Sequence, residues 1–137
     1  MGDQSPKTAR RRKASLKTTG LAAVFLCATA VTAVAGEFRL LMIQQVGCYV
    51  CEAFNRDIAP IYEVSPEGRT APLIHADLHQ PMPEGVTLAT LPFVTPTFVL
   101  LDEGGLEVGR LTGFPGEDFF WPYINEMFDT ARAGVSG

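Results

Sequence analysis

Apolar and polar positions change period along this chain, and the changes predict its elements. Phe38-Arg39-Leu40-Leu41-Met42-Ile43-Gln44 is a nearly continuous apolar run, too short for a globular helix and suited to a strand buried on both faces. From Tyr49 to about Tyr62 the period lengthens. Val50, Phe54, Ile58 and Ile61 recur at spacings of four and three between polar Glu52, Asn55, Arg56 and Asp57, which predicts a helix that Pro60 kinks or ends. Ser65-Pro66-Glu67-Gly68 predicts a turn and Ala71 to Asp77 a second strand. Leu78 to Thr95, interrupted by Pro81, Pro83 and Pro92, has room for no more than a short helical turn near Val86 to Leu91. Thr97 to Leu101 predicts a third strand, Asp102 to Gly105 a hairpin turn, and Leu106 to Thr112 a fourth strand. The last segment, about Asp118 to Ala133, predicts a helix with Phe119, Tyr123, Met127, Phe120, Ile124 and Phe128 on one broad apolar face. With Asp118 as its N-cap, Pro122 falls in the first turn, where a missing N–H costs little.

The order is strand, helix, strand, irregular connection, hairpin, helix. A strand-helix-strand start requires a parallel pair joined by a right-handed crossover, and the hairpin adds two antiparallel strands. The expected class is therefore α/β: a four-stranded mixed sheet with helices on both faces.

The residues before this domain have a different character. Residues 1–20 hold six of the eleven basic residues (Lys7, Arg10, Arg11, Arg12, Lys13 and Lys17) against one acid, Asp3, and an uncharged run from Leu21 to Val34 follows. That run is too short to span a bilayer comfortably, and Ala33-Val34-Ala35 places small residues where a signal peptidase reads. Residues 1–35 are expected to be a secretory signal peptide removed before Gly36; an uncleaved membrane anchor is the alternative. Arg11-Arg12 is a weak twin-arginine signal, because Lys13, Ala14 and Ser15 follow the pair.

Residues 36–137 form one expected domain with one modest core. They carry five arginines, no lysine and fourteen acids, a formal charge of −9 with both histidines neutral. Such a surface repels nucleic acid and anionic lipid, which excludes both as partners. Cys27 leaves with the signal segment, so two cysteines remain, in a chain sent to an oxidising compartment.

Those two, Cys48 and Cys51, stand in GCYVCEAF directly after the first strand and at the start of the first helix. Disulfide exchange needs a stabilised, reachable thiolate and a second thiol close enough to resolve a mixed disulfide. The free N–H groups and dipole of a helix start favour the anion, and a cysteine at i+3 is its neighbour. Cys48 and Cys51 are therefore the candidate catalytic pair. Gly47 keeps the approach open, and Tyr49 and Val50 form a small apolar docking patch. An inert bridge is the weaker reading, because so short a loop restricts the unfolded chain little. A zinc or copper site is a further alternative, since His75 and His79 have a ligand-like spacing, but 23 residues separate Cys51 from His75, unlike a finger. Each histidine is read as a partly exposed residue at a strand end, and no metal or cofactor is assigned. Far along the chain, Val94-Thr95-Pro96-Thr97-Phe98 sets a proline at the start of a strand, where it could be cis and could face the strand-helix junction, leaving the Thr95 backbone to hold a substrate segment as an added strand.

Taken together, strand, CxxC, helix, a Thr-Pro-Thr start to a hairpin, then Gly113 and a last helix resemble the thioredoxin fold over roughly Phe38 to Ala133. IAPIY, PEGRTAPL, TPTFVLLD and GFPGEDFFW are similar to the small periplasmic thioredoxins of bacterial sulfur-oxidation (Sox) systems. The resemblance implies a periplasmic, monomeric thiol-disulfide oxidoreductase that reduces disulfides or thiol adducts on partner proteins, with electrons from a membrane donor. It places Thr95, Pro96 and Gly113 with Gly47, Tyr49 and Val50 in the substrate-binding rim. Two positions depart from the pattern: thioredoxins usually carry an Asp six residues before the first cysteine and a Trp directly before it, where this chain has Met42 and Gly47. A metal carrier using the CxxC, or a non-catalytic thioredoxin-like docking module, are the competing classes.

Overall fold

The computed structural model describes Gly2 and residues 36–135, so the predicted signal segment, apart from Gly2, lies outside the described residues. Eight elements follow in chain order: β1 (Arg39–Gln44), α1 (Tyr49–Asp57), α2 (Ala59–Val64), α3 (Pro66–Thr70), β2 (Leu73–Asp77), β3 (Thr97–Leu101), β4 (Glu107–Thr112) and α4 (Glu117–Val135). The four strands form one sheet in the order β2-β1-β3-β4. β1 runs parallel to β2, with Met42 opposite His75 and Gln44 opposite Asp77. It runs antiparallel to β3, with Ile43 opposite Thr97, and β3 runs antiparallel to β4. This is the mixed sheet that the strand-helix-strand start and the hairpin predict.

Alternation along the strands divides the core in two. Leu40, Met42, Phe98 and Leu100 face one side and pack with Phe54 of α1, Tyr62 of α2 and Phe120, Ile124 and Phe128 of α4. Leu41, Ile43, Val99 and Leu101 face the other and meet Ile74, Leu78, Met82, Val86 and Leu88. The second face is thus covered by the irregular connection, where the sequence reading expected a helix. The connection, which the sequence allows at most a short helical turn near Val86 to Leu91, forms none there. Instead, Thr87 joins the sheet's margin by a bridge to Leu106: Thr87 N–H donates to Gly105 O at 2.8 Å and Glu107 N–H to Thr87 O at 3.0 Å. Prolines stop this segment from coiling, yet its apolar side chains still cover the strands.

The buried helix faces differ in part from the expected ones. The predicted helix over 49–62 is broken at Ile58, with Pro60 in the first turn of α2. Cys51, Phe54, Ile58 and Tyr62, at spacings of three and four, form one buried face that runs across the break, while Val50 and Ile61 face water. The predicted turn at 65–68 opens a short helix, α3, capped by Ser65, whose Oγ accepts from Gly68 N–H at 3.0 Å. Gly68 is buried against the Tyr62 carbonyl, and a Cβ there would overlap it. In α4 the Gly116 carbonyl accepts from Phe120 N–H at 2.9 Å, so the helix starts one residue before Asp118 and Pro122 lies inside it. Phe120, Ile124, Met127 and Phe128 are buried, whereas Phe119 and Tyr123, expected on the same face, are exposed.

Aromatic rings hold the helical layer together. Phe120 lies 5.1 Å from Phe54, 5.3 Å from Phe98 and 5.9 Å from Phe114 between ring centroids, so one side chain of α4 joins α1, β3 and the β4–α4 loop.

Candidate active site

The site grows from the end of β1. Gln45, Val46 and Gly47 turn the chain out of the sheet, and Gly47 takes a φ of +77°, a left-handed conformation that a side-chain-bearing residue adopts at a cost. No atom crowds the place its Cβ would fill, so its backbone conformation, beyond an open approach, accounts for the glycine. Cys48 follows as the N-cap of α1, and its Sγ accepts a hydrogen bond from Cys51 N–H at 3.2 Å. Here a sulfur replaces the usual capping oxygen, among the unpaired N–H groups that stabilise negative charge at a helix start.

Cys48 and Cys51 are joined as a disulfide, their Cα atoms 5.2 Å apart. The two sulfurs are not equivalent. Cys48 keeps 9% of its surface, and its neighbours Gly47, Tyr49 and Val50 are all exposed; Cys51 keeps 2% and points into the helical core. A visitor therefore reaches Cys48 first, with Cys51 behind it.

The second predicted segment arrives through the register. With Ile43 opposite Thr97, Pro96 falls level with Gln44, at the end of the sheet from which the cysteine loop departs. The Thr95–Pro96 bond is cis, and Pro96 O accepts from Gly113 N–H at 2.8 Å. Thr97 Oγ donates to Val94 O at 2.7 Å. Among the described residues the Thr95 main chain makes no hydrogen bond. Just before it, Leu91 and Phe93 point into water, Phe93 at 88% exposure, although apolar residues earlier in the same connection are partly buried against the sheet. Sequence reading missed this pair, because a proline-broken loop has no period from which to infer a face.

The histidines are occupied by amides. His75 Nε2 lies 3.2 Å from Asn55 Oδ1, and Asn55 Nδ2 donates to Gln44 Oε1 at 2.8 Å. His79 Nε2 lies 3.1 Å from Gln45 Oε1, beyond the end of β2. His75 sits in mid-strand, not at a strand end, and partial burial lowers its pKa, with Glu63 opposing. Met42, six residues before Cys48, is fully buried beside the helical layer and brings no charge there. Among the described residues no group of three or more His, Cys, Asp or Glu side chains is gathered as a metal site would be. No helix among them is long and apolar enough to cross a membrane.

A four-stranded mixed sheet with a cysteine pair capping the helix after its first strand defines a thioredoxin-fold thiol-disulfide oxidoreductase. No protein-family model matches the chain, and no curated protein does. Among solved structures, the periplasmic thioredoxin SoxS from Paracoccus pantotrophus, in its reduced form, is similar at 46% identity and a TM-score of 0.66, covering 69% of this chain and 99% of that one. The chain belongs to the Sox-type thioredoxins.

Proposed function

We propose that this protein is exported to the periplasm and there reduces disulfides or thiol adducts on partner proteins within a sulfur-oxidation system. One observation carries the reading: a capped, outer Cys48 backed by an inner Cys51 at a helix start. The Cys48 thiolate attacks the partner's sulfur and forms a mixed disulfide. Cys51 then attacks Cys48, the partner leaves as its thiol, and the Cys48–Cys51 bond closes. Two electrons return the pair to dithiol, supplied by a membrane donor.

The rim around the pair suits an extended protein segment. Gly47, Tyr49 and Val50 flank Cys48 on one side; Thr95, Pro96 and Gly113 come from the β3 and β4 ends. The unpaired main chain of Thr95 offers one donor and one acceptor, as a strand edge does. Exposed Tyr49, Leu91 and Phe93 add apolar area close in sequence to these two segments. Export follows from the charged and apolar N-terminal pattern, with cleavage before Gly36, and the SoxS relative is itself described as periplasmic. The mature domain acts as a monomer.

Trapping tests the assignment. Cys51→Ser should accumulate partner proteins as mixed disulfides that reductant releases, and Cys48→Ser should accumulate none. Equal capture by both variants, or by neither, refutes the assignment of nucleophile and resolving thiol.

A further inference from the structure

Resolution of the mixed disulfide poses a problem of protons that this core does not obviously answer. Cys51 must lose its proton to attack, yet it is 2% exposed and set among Met42, Phe54, Phe98 and Phe120. Taking a thiol out of water disfavours its thiolate, and none of these neighbours can accept a proton. On its own helix Asn55 stands one turn on from Cys51, where i and i+4 side chains meet at about 5–6 Å between Cβ atoms.

Asn55 is the middle of a chain of three. Its Nδ2 donates to Gln44 Oε1 at 2.8 Å, and its Oδ1 lies 3.2 Å from His75 Nε2. An amide oxygen only accepts, so His75 carries its hydrogen on Nε2 and, when neutral, leaves Nδ1 as a free base. The sheet register supplies an independent placement. His75 pairs with Met42 across β1 and β2, and residues paired in a ladder project to the same face. His75 is therefore on the side of the sheet that α1 covers, one strand from the buried residue beside the cysteine core.

Building on the reading above, we propose that His75, its ring held by Asn55, is the base for the resolving step and is reached from Cys51 through solvent water. The Cys51 proton passes by way of water to Nδ1 of His75. Cys51 sulfur bonds to Cys48 sulfur, the bond from Cys48 to the partner breaks with its electron pair on the partner's sulfur, and that thiolate takes a proton from solvent. His75 does not touch the sulfurs, so it is a positioning and proton-holding residue and not a catalytic one.

The surroundings suit a neutral ring. Partial burial holds the His75 pKa below the usual value, and the one charge that opposes this is Glu63 of α2. From α1 the group bonded to the ring is the neutral Asn55, while Arg56 and Asp57 are paired with each other at 2.7 Å and Glu52 is exposed. From β1 the register partner is uncharged Met42, and β2 itself brings Asp77 two residues on. His79 is a poorer candidate because it lies in the exposed turn beyond β2 and is tied to Gln45.

A two-phase thiol assay separates this step from the first attack. Reduced protein is mixed with an aromatic disulfide such as dithiobis(nitrobenzoate); the first thiolate released reports attack by Cys48, and the second reports resolution by Cys51. In the unaltered protein the second phase should rise with pH to a plateau, with its inflection below the ordinary histidine value of about 6.5. His75→Gln should leave the first phase unchanged, lower the plateau about tenfold and remove the inflection, a modest general-base effect because water intervenes. Imidazole added to His75→Ala should restore the second phase. The inference falls if the unaltered protein shows no inflection, if the profiles of protein and variant superimpose, or if imidazole restores nothing. Absence of the first phase from the unaltered protein would count instead against the oxidoreductase assignment on which this step rests.

Discussion

Adjacent phenylalanines offer a sharp test of how this domain is held together. The apolar pattern of the last helix sets Phe119 and Phe120 together on its inner face, but Phe120 is 0% exposed and Phe119 62%. Phe120 meets the rings of Phe54, Tyr62, Phe98, Phe114 and Trp121 at centroid separations from 5.1 to 6.1 Å. Truncation to alanine removes the transfer energy of a whole ring and leaves a cavity, about 3–5 kcal/mol for a buried Phe. Several tilted and edge-to-face pairs go with it, which argues for the upper part of that range. Against a total stability of about 5–15 kcal/mol, Phe120→Ala uses a large share, and Tm should fall by roughly 12 °C or more. Phe119→Ala, losing little contact, should stay within about 0.5 kcal/mol of the parent. Urea unfolding followed by far-UV circular dichroism compares the midpoints, with Phe120→Leu as a milder variant if the alanine form does not fold. Equal losses at the two positions, or a larger loss at Phe119, would refute the burial argument.

Two further outcomes follow from single polar groups. Tyr62 is fully buried and its hydroxyl donates to Ala71 O at 2.7 Å, with the phenol pKa pushed well up by burial. Tyr62→Phe leaves that carbonyl without the bond, so chemical denaturation should show a loss of about 1–3 kcal/mol at unchanged m-value. Glu107, its side chain 9% exposed, accepts two 2.7 Å hydrogen bonds from Arg110, which hold its carboxyl below the usual range against the opposing effect of burial. A folded-state pKa depressed in this way contributes stability that is present above the unfolded carboxylate pKa and is lost as pH falls through the folded value. Glu107→Gln should therefore flatten the decline in urea midpoint below about pH 5, and an unchanged acid limb would contradict the pairing.

Much of this molecule could be read without coordinates because its signals are local. A nearly continuous apolar run makes β1 a buried strand, Asp102 to Gly105 closes a hairpin, and a CxxC between a strand and a helical period places Cys48 at their junction. Each depends on neighbours within a few residues, where steric and hydrogen-bonding preferences act directly. Periodicity failed where neighbouring apolar residues compete for one face or where a segment has no period. Across Ile58 the buried face keeps the spacing Cys51, Phe54, Ile58, Tyr62, so Tyr62 turns inward and the neighbouring Ile61 outward, although both are apolar. The connection through Leu88 covers a sheet face without coiling, and Leu91 and Phe93 then turn to water.

What the residues determine alone is the cysteine pair, its place at a helix start and the set of strands, since these depend on bonds and dipoles within one or two turns of chain. Packing decided the rest. The antiparallel register of β1 and β3 sets Pro96 level with Gln44, and the parallel register of β1 and β2 puts His75 beside Met42. Those juxtapositions join positions dozens of residues apart, and they arise because one register buries both apolar faces of the sheet at once, a condition only the assembled core can impose.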